Sequence, residues 1–310
     1  MALRTARTLI QPTAELNIED LKLIFHIIPS PNPTKNKYLI HVHACSLSAG
    51  ELLWPRNFPP PQSCTLIPCP NISSTIVSAS LDSPFQPGAE IYAQTNYIRP
   101  GNARDYTIAI TDELALKLRD LSWVEAAAVP VSTETAWQIL FIHTGIMLPG
   151  AEIDRILVTA ASGGVAARIL KIKIVGTCEP DNVELVRSMG AEKIMDYQGT
   201  DLKIWVKYKA VRKIDMMVNY TVKKGETVLS IVQPPDGVRP WSEKGGVRDV
   251  FFVMQSSGKQ LGMITKLMEK GKCRGMVDSV WPLEKFRPVF ERLDTGHTCG
   301  KIMLDLALNQ

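Results

Sequence analysis

Long apolar runs are missing from this sequence. No stretch approaches the roughly 18 residues that a helix needs to cross a bilayer. The opening MALRTARTLIQPTAEL carries two arginines but no apolar core after them, so a signal peptide is not expected. Paired cysteines are missing too. The six cysteines, at 45, 64, 69, 178, 273 and 299, include no CxxC pair, and reduced thiols in a soluble, cytoplasmic protein are the expectation. Charge of one sign is scarce: 35 Lys and Arg against 31 Asp and Glu leave a net +4. In the densest basic stretch, Lys203, Lys207, Lys209, Arg212 and Lys213, the Trp and Tyr residues do not alternate with the bases in a recognisable nucleic-acid module, and it reads as a solvated helix face. Internal repeats and low-complexity tracts are absent. What remains is 310 residues, 45% of them hydrophobic, enough for two middling domains each with its own core.

The first 120 residues read as mostly β. Tyr38 to Ala44 alternates apolar and polar residues as a half-buried strand does, and Ile91-Tyr92-Ala93 is a second short strand. PSPNPT, FPPPQS, SPFQPG and IRPGN punctuate the rest as turns. From Leu121 to Thr144 the pattern turns helical, broken by Pro130. Ser122 with Glu125 forms a capping-box pair, and Thr133 is a candidate cap for the second helix. Strands and helices then alternate: ILVT at 156–159, IKIVGT at 172–177, a helix ending at Gly190, KIMDY, IDMMVN at 214–219 and TVLSIV at 227–232. Such alternation predicts a doubly wound α/β domain. Lys259 to Lys270 is an amphipathic helix with Leu261, Ile264, Leu267 and Met268 on one stripe. A helix around Pro282 to Leu293 and a final strand KIMLDLAL close the chain.

The sharpest motif is ILVTAASGGVAARIL. An apolar strand delivers the chain into Ala161-Ser162-Gly163-Gly164-Val165-Ala166. Small residues there let a backbone approach a phosphate, and the following helix offers free N–H groups and a positive dipole end. The alternative is a tight strand-to-helix turn without a ligand. At the end of the next strand come Cys178, Glu179, Asp181 and Asn182, where a dinucleotide's adenosine ribose would lie. Carboxylates there favour a free 2′-hydroxyl, hence NAD over NADP, and the nearest base, Arg187, lies well inside the helix. Equally, both carboxylates face solvent and only cap that helix.

These segments, with EAAAVPVSTETAWQIL before them and DVFFVMQSSGKQL, VDSVWPLEKFRPVFERL and DTGHTCGKIMLDL after, resemble the zinc-free, quinone-oxidoreductase-like medium-chain dehydrogenases/reductases. VHACSLSAGEL and GNARDYTI match the family's N-terminal part more loosely. The closest look is to fungal members associated with secondary metabolism. The resemblance implies an α/β protein with a GroES-like β domain (1–125 with 274–310) and a Rossmann-like domain (126–273) shortened at two places. It implies NADP or NAD as cofactor, and hydride transfer to an electron-poor C=C or C=O of a small molecule such as an enone or quinone. Homodimers are frequent in the family. Carried over residue by residue, Ala161, Ser162, Gly163, Gly164, Val165 and Ala166 hold the pyrophosphate. Cys178, Glu179, Asn182 and Tyr197 surround the adenosine end, Ser48 and Thr135 flank the nicotinamide, and Phe252 and Val253 touch its carboxamide side. No residue stands out as proton donor: Tyr92, Tyr97 and bound water are equal candidates.

No metal is expected. Zinc-dependent relatives place a cysteine where Ser48 stands and a Gly-His-Glu motif where this chain has Pro68-Cys69-Pro70-Asn71, which also lacks the family's usual glycines. His41 and His43 share a strand face without a third ligand nearby. Two departures weigh against full function. From Gly164 to Ile172, and from Asn219 to Thr227, too few residues are available for a parallel crossover, which normally takes a dozen or more. Three readings therefore stay open: an active reductase, an inactive or cofactor-poor relative with a binding role, and a non-redox binding protein.

Overall fold

The computed structural model describes residues 4–15, 17–31, 36–143, 156–163, 174–196, 198–199, 212–213, 227–231 and 248–308. The chain divides into two compact units, Met1–Glu134 with Gln255–Gln310, and Thr135–Met254. No helix among the described residues is long and apolar enough to cross a membrane.

The first unit is β-rich. Strands β1 (Thr5–Ile10) and β2 (Lys22–Ile27) form an antiparallel pair. The main sheet takes in β3 (Lys37–Ser46), β4 (Asn71–Ser78), β5 (Glu90–Gln94), β6 (Tyr106–Ile110) and β7 (Leu114–Leu116). The alternation read at Tyr38 to Ala44 is real: Tyr38, Ile40, Val42 and Ala44 are buried, and Leu39, His41 and His43 between them are only partly so. The tail completes this sheet, with β14 (Val277–Pro282) parallel to β15 (Lys301–Asp305) and β15 antiparallel to β3. This is the GroES-like arrangement that the resemblance implied.

After a short helix, α1 (Trp54–Asn57), three helices, at 123–127, 258–269 and 286–294, pack on the sheet. In α2 (Trp123–Ala127) the capping box forms as expected, the Glu125 N–H donating to Ser122 Oγ and the Ser122 N–H to Glu125 Oε2. The next helix, α3 (Pro130–Trp137), starts at the proline, whose ring fixes φ and whose missing N–H costs nothing there. Thr133 is thus not its cap. It lies inside the helix, and its hydroxyl donates to the Val129 carbonyl at 2.9 Å. The helix expected at 259–270 spans Gly258–Glu269; it buries Leu261, Ile264 and Met268 and packs on β7 of the first unit. The tail helix Phe286–Asp294 buries Phe286, Val289, Phe290 and Leu293, an i, i+3, i+4, i+7 stripe worth about 1.5–3 kcal/mol per side chain. Arg7 ties distant segments together through ion pairs to Asp105 and Glu284 and a 2.7 Å bond to the Leu306 carbonyl.

The second unit carries a four-stranded parallel sheet of β8 (Ile156–Val158), β9 (Ile174–Cys178), β10 (Lys193–Asp196) and β11 (Arg212–Lys213), in the order β10-β9-β8-β11. β9 is buried from Val175 to Cys178 without alternation, as a strand covered on both faces must be. A separate parallel pair joins β12 (Thr227–Ser230) to β13 (Arg248–Phe251). The expected strand at 214–219 and the two short crossovers at 164–172 and 219–226 lie outside the described residues. The parallel pairing of β8 with β9 is what a doubly wound sheet requires.

One close approach in the first unit lends itself to a test. A side chain at Gly101 would put its Cβ 2.3 Å from the carbonyl oxygens of both Ile67 and Pro68. Gly101→Ala should therefore displace segment 67–70 and cost about 1–3 kcal/mol, read as a lower urea midpoint with unchanged slope. An unchanged midpoint would show that the segment yields freely.

Candidate active site

In the second unit the strand order reverses at β8: β9 and β10 lie to one side and β11 to the other. Ligands of open α/β sheets bind beyond the carboxyl ends of the strands at such a point. The chain leaving β8 turns at Ala160, whose φ of 49° lies in the left-handed region that residues with a side chain rarely adopt. The turn is closed by the Gly163 N–H donating to the Ala160 carbonyl at 2.9 Å, and moored by the Ala161 N–H donating to Thr177 at 2.8 Å. Ala161 is buried, packed with Cys178 and Val186, while Ser162 and Gly163 are half-exposed. The turn's described residues, Ala161, Ser162 and Gly163, put no bulky side chain at the switch point, where a phosphate group would approach.

The residues expected at the adenosine end follow. Cys178 ends β9 with its side chain in the core cluster, so it offers backbone rather than thiol. Glu179 is half-buried and Asp181 exposed, at the start of the turn leading to α4 (Val183–Ser188). Asn182 precedes that helix, and Arg187 is held within it by an ion pair to Glu184. Thr135 is buried in α3, and Phe252, just past β13, lies against the His143 ring at 4.1 Å, with Val253 next to it. Gly164, Val165, Ala166 and Tyr197 lie outside the described residues.

The first unit holds a group the sequence reading missed. Gly50, at φ 70°, turns the chain after Ser48 into a short helical turn, Glu51–Leu53. The Glu51 side chain folds back, its Oε2 accepting the Ser48 N–H at 3.0 Å and its Oε1 the Cys69 N–H at 3.3 Å. The Cys69 thiol reaches the same Oε1 at 3.8 Å. Cys69 is held at φ 68° between two prolines, a strained setting for a non-glycine residue. The Asn102 amide pins it, donating to the carbonyls of Cys69 and Pro70 and to Thr95 Oγ1. From β15, Lys301 Nζ donates to Ser48 Oγ at 3.0 Å and to the Leu47 carbonyl at 3.1 Å.

Burial pushes the Glu51 carboxyl up to about 7, against the opposing pull of the Ser48 N–H and of Lys301. Burial likewise brings Lys301 down, to about 8, with Glu51 resisting. The Cys69 thiol is pushed well up, first by burial and then by Cys45 and Glu51. Glu51 and Cys69 line a pocket with Trp54, Ile67, Tyr97 and Arg99, of about 40 Å³. At roughly 10–15 Å³ per water, it has room for a few waters. Of the two tyrosines weighed as proton donors, Tyr97 lines this pocket. Tyr92 is buried, its hydroxyl engaged with Thr265 at 2.6 Å and its pKa raised by burial.

These groups do not fit a zinc ion. A hydroxyl, one thiol and one carboxylate, with an ammonium bonded to the hydroxyl, are not a tetrahedral set of anionic or neutral ligands. Among the described residues, no three His, Cys, Asp or Glu side chains are placed to hold a metal. His41 and His43 pack as aromatics: their rings are 4.8 Å apart, and His43 stacks on Trp123 at 4.0 Å while Nε2 meets Thr75 Oγ1.

The two-unit fold, a GroES-like sheet and a Rossmann-like parallel sheet, is that of the medium-chain dehydrogenases/reductases. The chain belongs to the medium-chain dehydrogenase/reductase family, in its quinone-oxidoreductase-like branch. Residues 189–304 match the family described as zinc-binding dehydrogenase. A protein of Arthroderma benhamiae described as "Probable zinc-binding oxidoreductase, mitochondrial" is 38% identical, over 89% of this chain and 90% of its own. A chloroplast envelope quinone oxidoreductase homolog of Arabidopsis thaliana is 27% identical, over 90% and 92%. The solved quinone oxidoreductase of Coxiella burnetii superposes with a TM-score of 0.78 at 21% identity, covering 98% of this chain and all of its own, a likeness of fold. The protein is an enzyme, an oxidoreductase of a family that works with a nicotinamide cofactor.

The raised Glu51 carboxyl makes stability depend on pH. The folded state holds this proton more tightly than the unfolded chain, whose value is near 4.5. The contribution is fully present below about pH 4.5 and lost as pH rises through about 7, a swing on the order of 3 kcal/mol. Across that window Lys301 is charged in both states and adds a constant. Urea unfolding of Glu51→Gln and wild type from about pH 5 to about pH 7.5 should show the variant gaining on the wild type as pH rises. A constant difference would place Glu51 in an ordinary, solvated setting.

Proposed function

We propose that this protein is a zinc-independent NAD(P)H-dependent reductase delivering hydride to an electron-poor C=C or C=O of a small molecule: an enone, a quinone or a related metabolite of secondary metabolism. The observation that carries this reading is the fixed small-residue turn, Ala160 to Gly163, at the carboxyl end of β8 where the strand order reverses. The nicotinamide, when bound, supplies the hydride. The second unit holds it: the turn and the following Gly164, Val165 and Ala166 take the pyrophosphate, and Glu179, Asn182 and Tyr197 surround the adenosine. Thr135, Phe252 and Val253 of this unit hold the nicotinamide. The protein's part is to orient the two reactants and exclude water.

Between the two nucleotides, NADH is the better match. Glu179 and Asp181 bring negative charge to the ribose end, and the nearby guanidinium of Arg187 is already paired with Glu184. The proposed setting is an aqueous compartment, the cytoplasm by the sequence reading; relatives named for mitochondria and chloroplasts supply the alternatives.

Nicotinamide fluorescence during titration with NADH and NADPH tests this. Both should bind saturably, NADH the tighter, with turnover on a test quinone or enone. The double variant Glu179→Ser, Asp181→Lys should shift preference toward NADPH about tenfold, the worth of roughly 1.4 kcal/mol. Absence of binding by a folded sample would leave the cofactor-poor relative as the reading. An unshifted preference would mean that both carboxylates face only solvent.

A further inference from the structure

Two arginines that fold inward in the first unit each find a carboxylate. Arg7 closes on Asp105 and Glu284, and Arg99 on Glu113. Arg104 is more buried than either, at 9% exposed, and no acid pairs with it among the described residues. Its Nη2 donates to Thr107 Oγ1, its Nε is buried without a partner, and no described protein atom accepts from Nη1. Burial, and then the like charge of Arg99, bring the guanidinium down to about 10, so it keeps its proton throughout the neutral range. We propose that Arg104 and Thr107 form a binding site for a small monocarboxylate. The site lies within the first unit and stands whether or not the reductase reading does.

Three observations carry this. The backbone fixes where the side chain sits. Arg104 bridges to Thr8 of β1, the Leu9 N–H donates to the Ala103 carbonyl at 2.8 Å, and the Asp105 N–H donates to that of Arg7 at 3.0 Å. The guanidinium is thus built into the unit rather than hung from its surface.

Donors also converge there. The guanidinium has N–H groups left over, and the buried Thr107 hydroxyl, which accepts from Nη2, keeps its own hydrogen for a second acceptor. A buried donor without a partner calls for an acceptor, and a buried charge calls for an opposite one. The planar fork of a guanidinium suits two oxygens of a single group.

The charge count selects the ligand. The groups acting on the Arg104 charge are Arg99 and Cys64, and the charge of Arg99 is spent on Glu113. One positive charge is left, which one carboxylate cancels. A phosphate dianion would bring a second negative charge that nothing here offsets. Cys64 offers a way to watch the site. Burial raises its thiol, and Arg104 and then Arg99 pull it back, so this half-buried side chain stands within the field of the guanidinium.

Iodoacetate is a monocarboxylate that marks the thiol beside it, iodide leaving as the S–C bond forms; iodoacetamide is its neutral counterpart. The ratio of their rates at Cys64, read by peptide mass spectrometry, cancels the acidity of the thiol itself. That ratio should be about tenfold higher in the folded protein than in the urea-unfolded chain. Acetate should slow iodoacetate at Cys64 saturably, and inorganic phosphate at equal ionic strength should leave it unchanged. Arg104→Met should return the ratio to its unfolded value. The first two measurements use the wild-type protein, so they decide the matter even where the variant does not fold. Equal ratios in folded and unfolded chains, or an unchanged ratio in folded Arg104→Met, overturn the site. Protection by phosphate equal to that by acetate overturns the choice of a monocarboxylate.

Discussion

The second unit depends on a contact that leaves no room for a side chain. A Cβ at Gly176, in the middle of β9, would fall 2.8 Å from Val186 of α4 and 2.9 Å from the Ala161 methyl. Only a bare backbone lets the helix and the turn close over the strand together. The turn is thereby pressed onto β9, where the Ala161 N–H finds the Thr177 carbonyl, and Ser162 and Gly163 come to stand at the strand's end. The strain at Ala160 is held by the same packing, as an off-region φ of a residue with a side chain requires.

The first unit shows the same logic around a charge instead of a phosphate. Asn102 and the close approach of Gly101 fix the segment Pro68-Cys69-Pro70, and that segment aims one N–H at Glu51. Burying a carboxyl next to an ammonium is expensive unless each finds donors and acceptors. Here the backbone supplies them: Ser48 and Cys69 for Glu51, the Leu47 carbonyl and Ser48 hydroxyl for Lys301. Glu51 and Cys69 so fixed form part of the wall of a small pocket.

Much of the fold was legible because periodicity reports burial. The alternation of β3, the continuous burial of β9, the Ser122–Glu125 box and the stripe of the Gly258–Glu269 helix all follow from local pattern. Thr133 misled because a threonine inside a helix can bond back to i−4 as readily as cap the next turn, and Pro130 had already supplied the start. The turn after β8 was legible as small residues behind an apolar strand. The Glu51 group was not. Its members lie at 48, 51, 69 and 301, brought together only by sheet pairing, and the single local hint was an acid shortly after a glycine in a stretch otherwise leading to Leu52, Leu53 and Trp54.

The central claim is that backbone amides at the end of β8 receive a dinucleotide's pyrophosphate. Amide hydrogen exchange with and without NADH measures this directly. The account predicts slowed exchange at Ser162 and at Glu179, Asp181 and Asn182 when the nucleotide is present. Binding that leaves the Ser162 amide exchanging as before would contradict it.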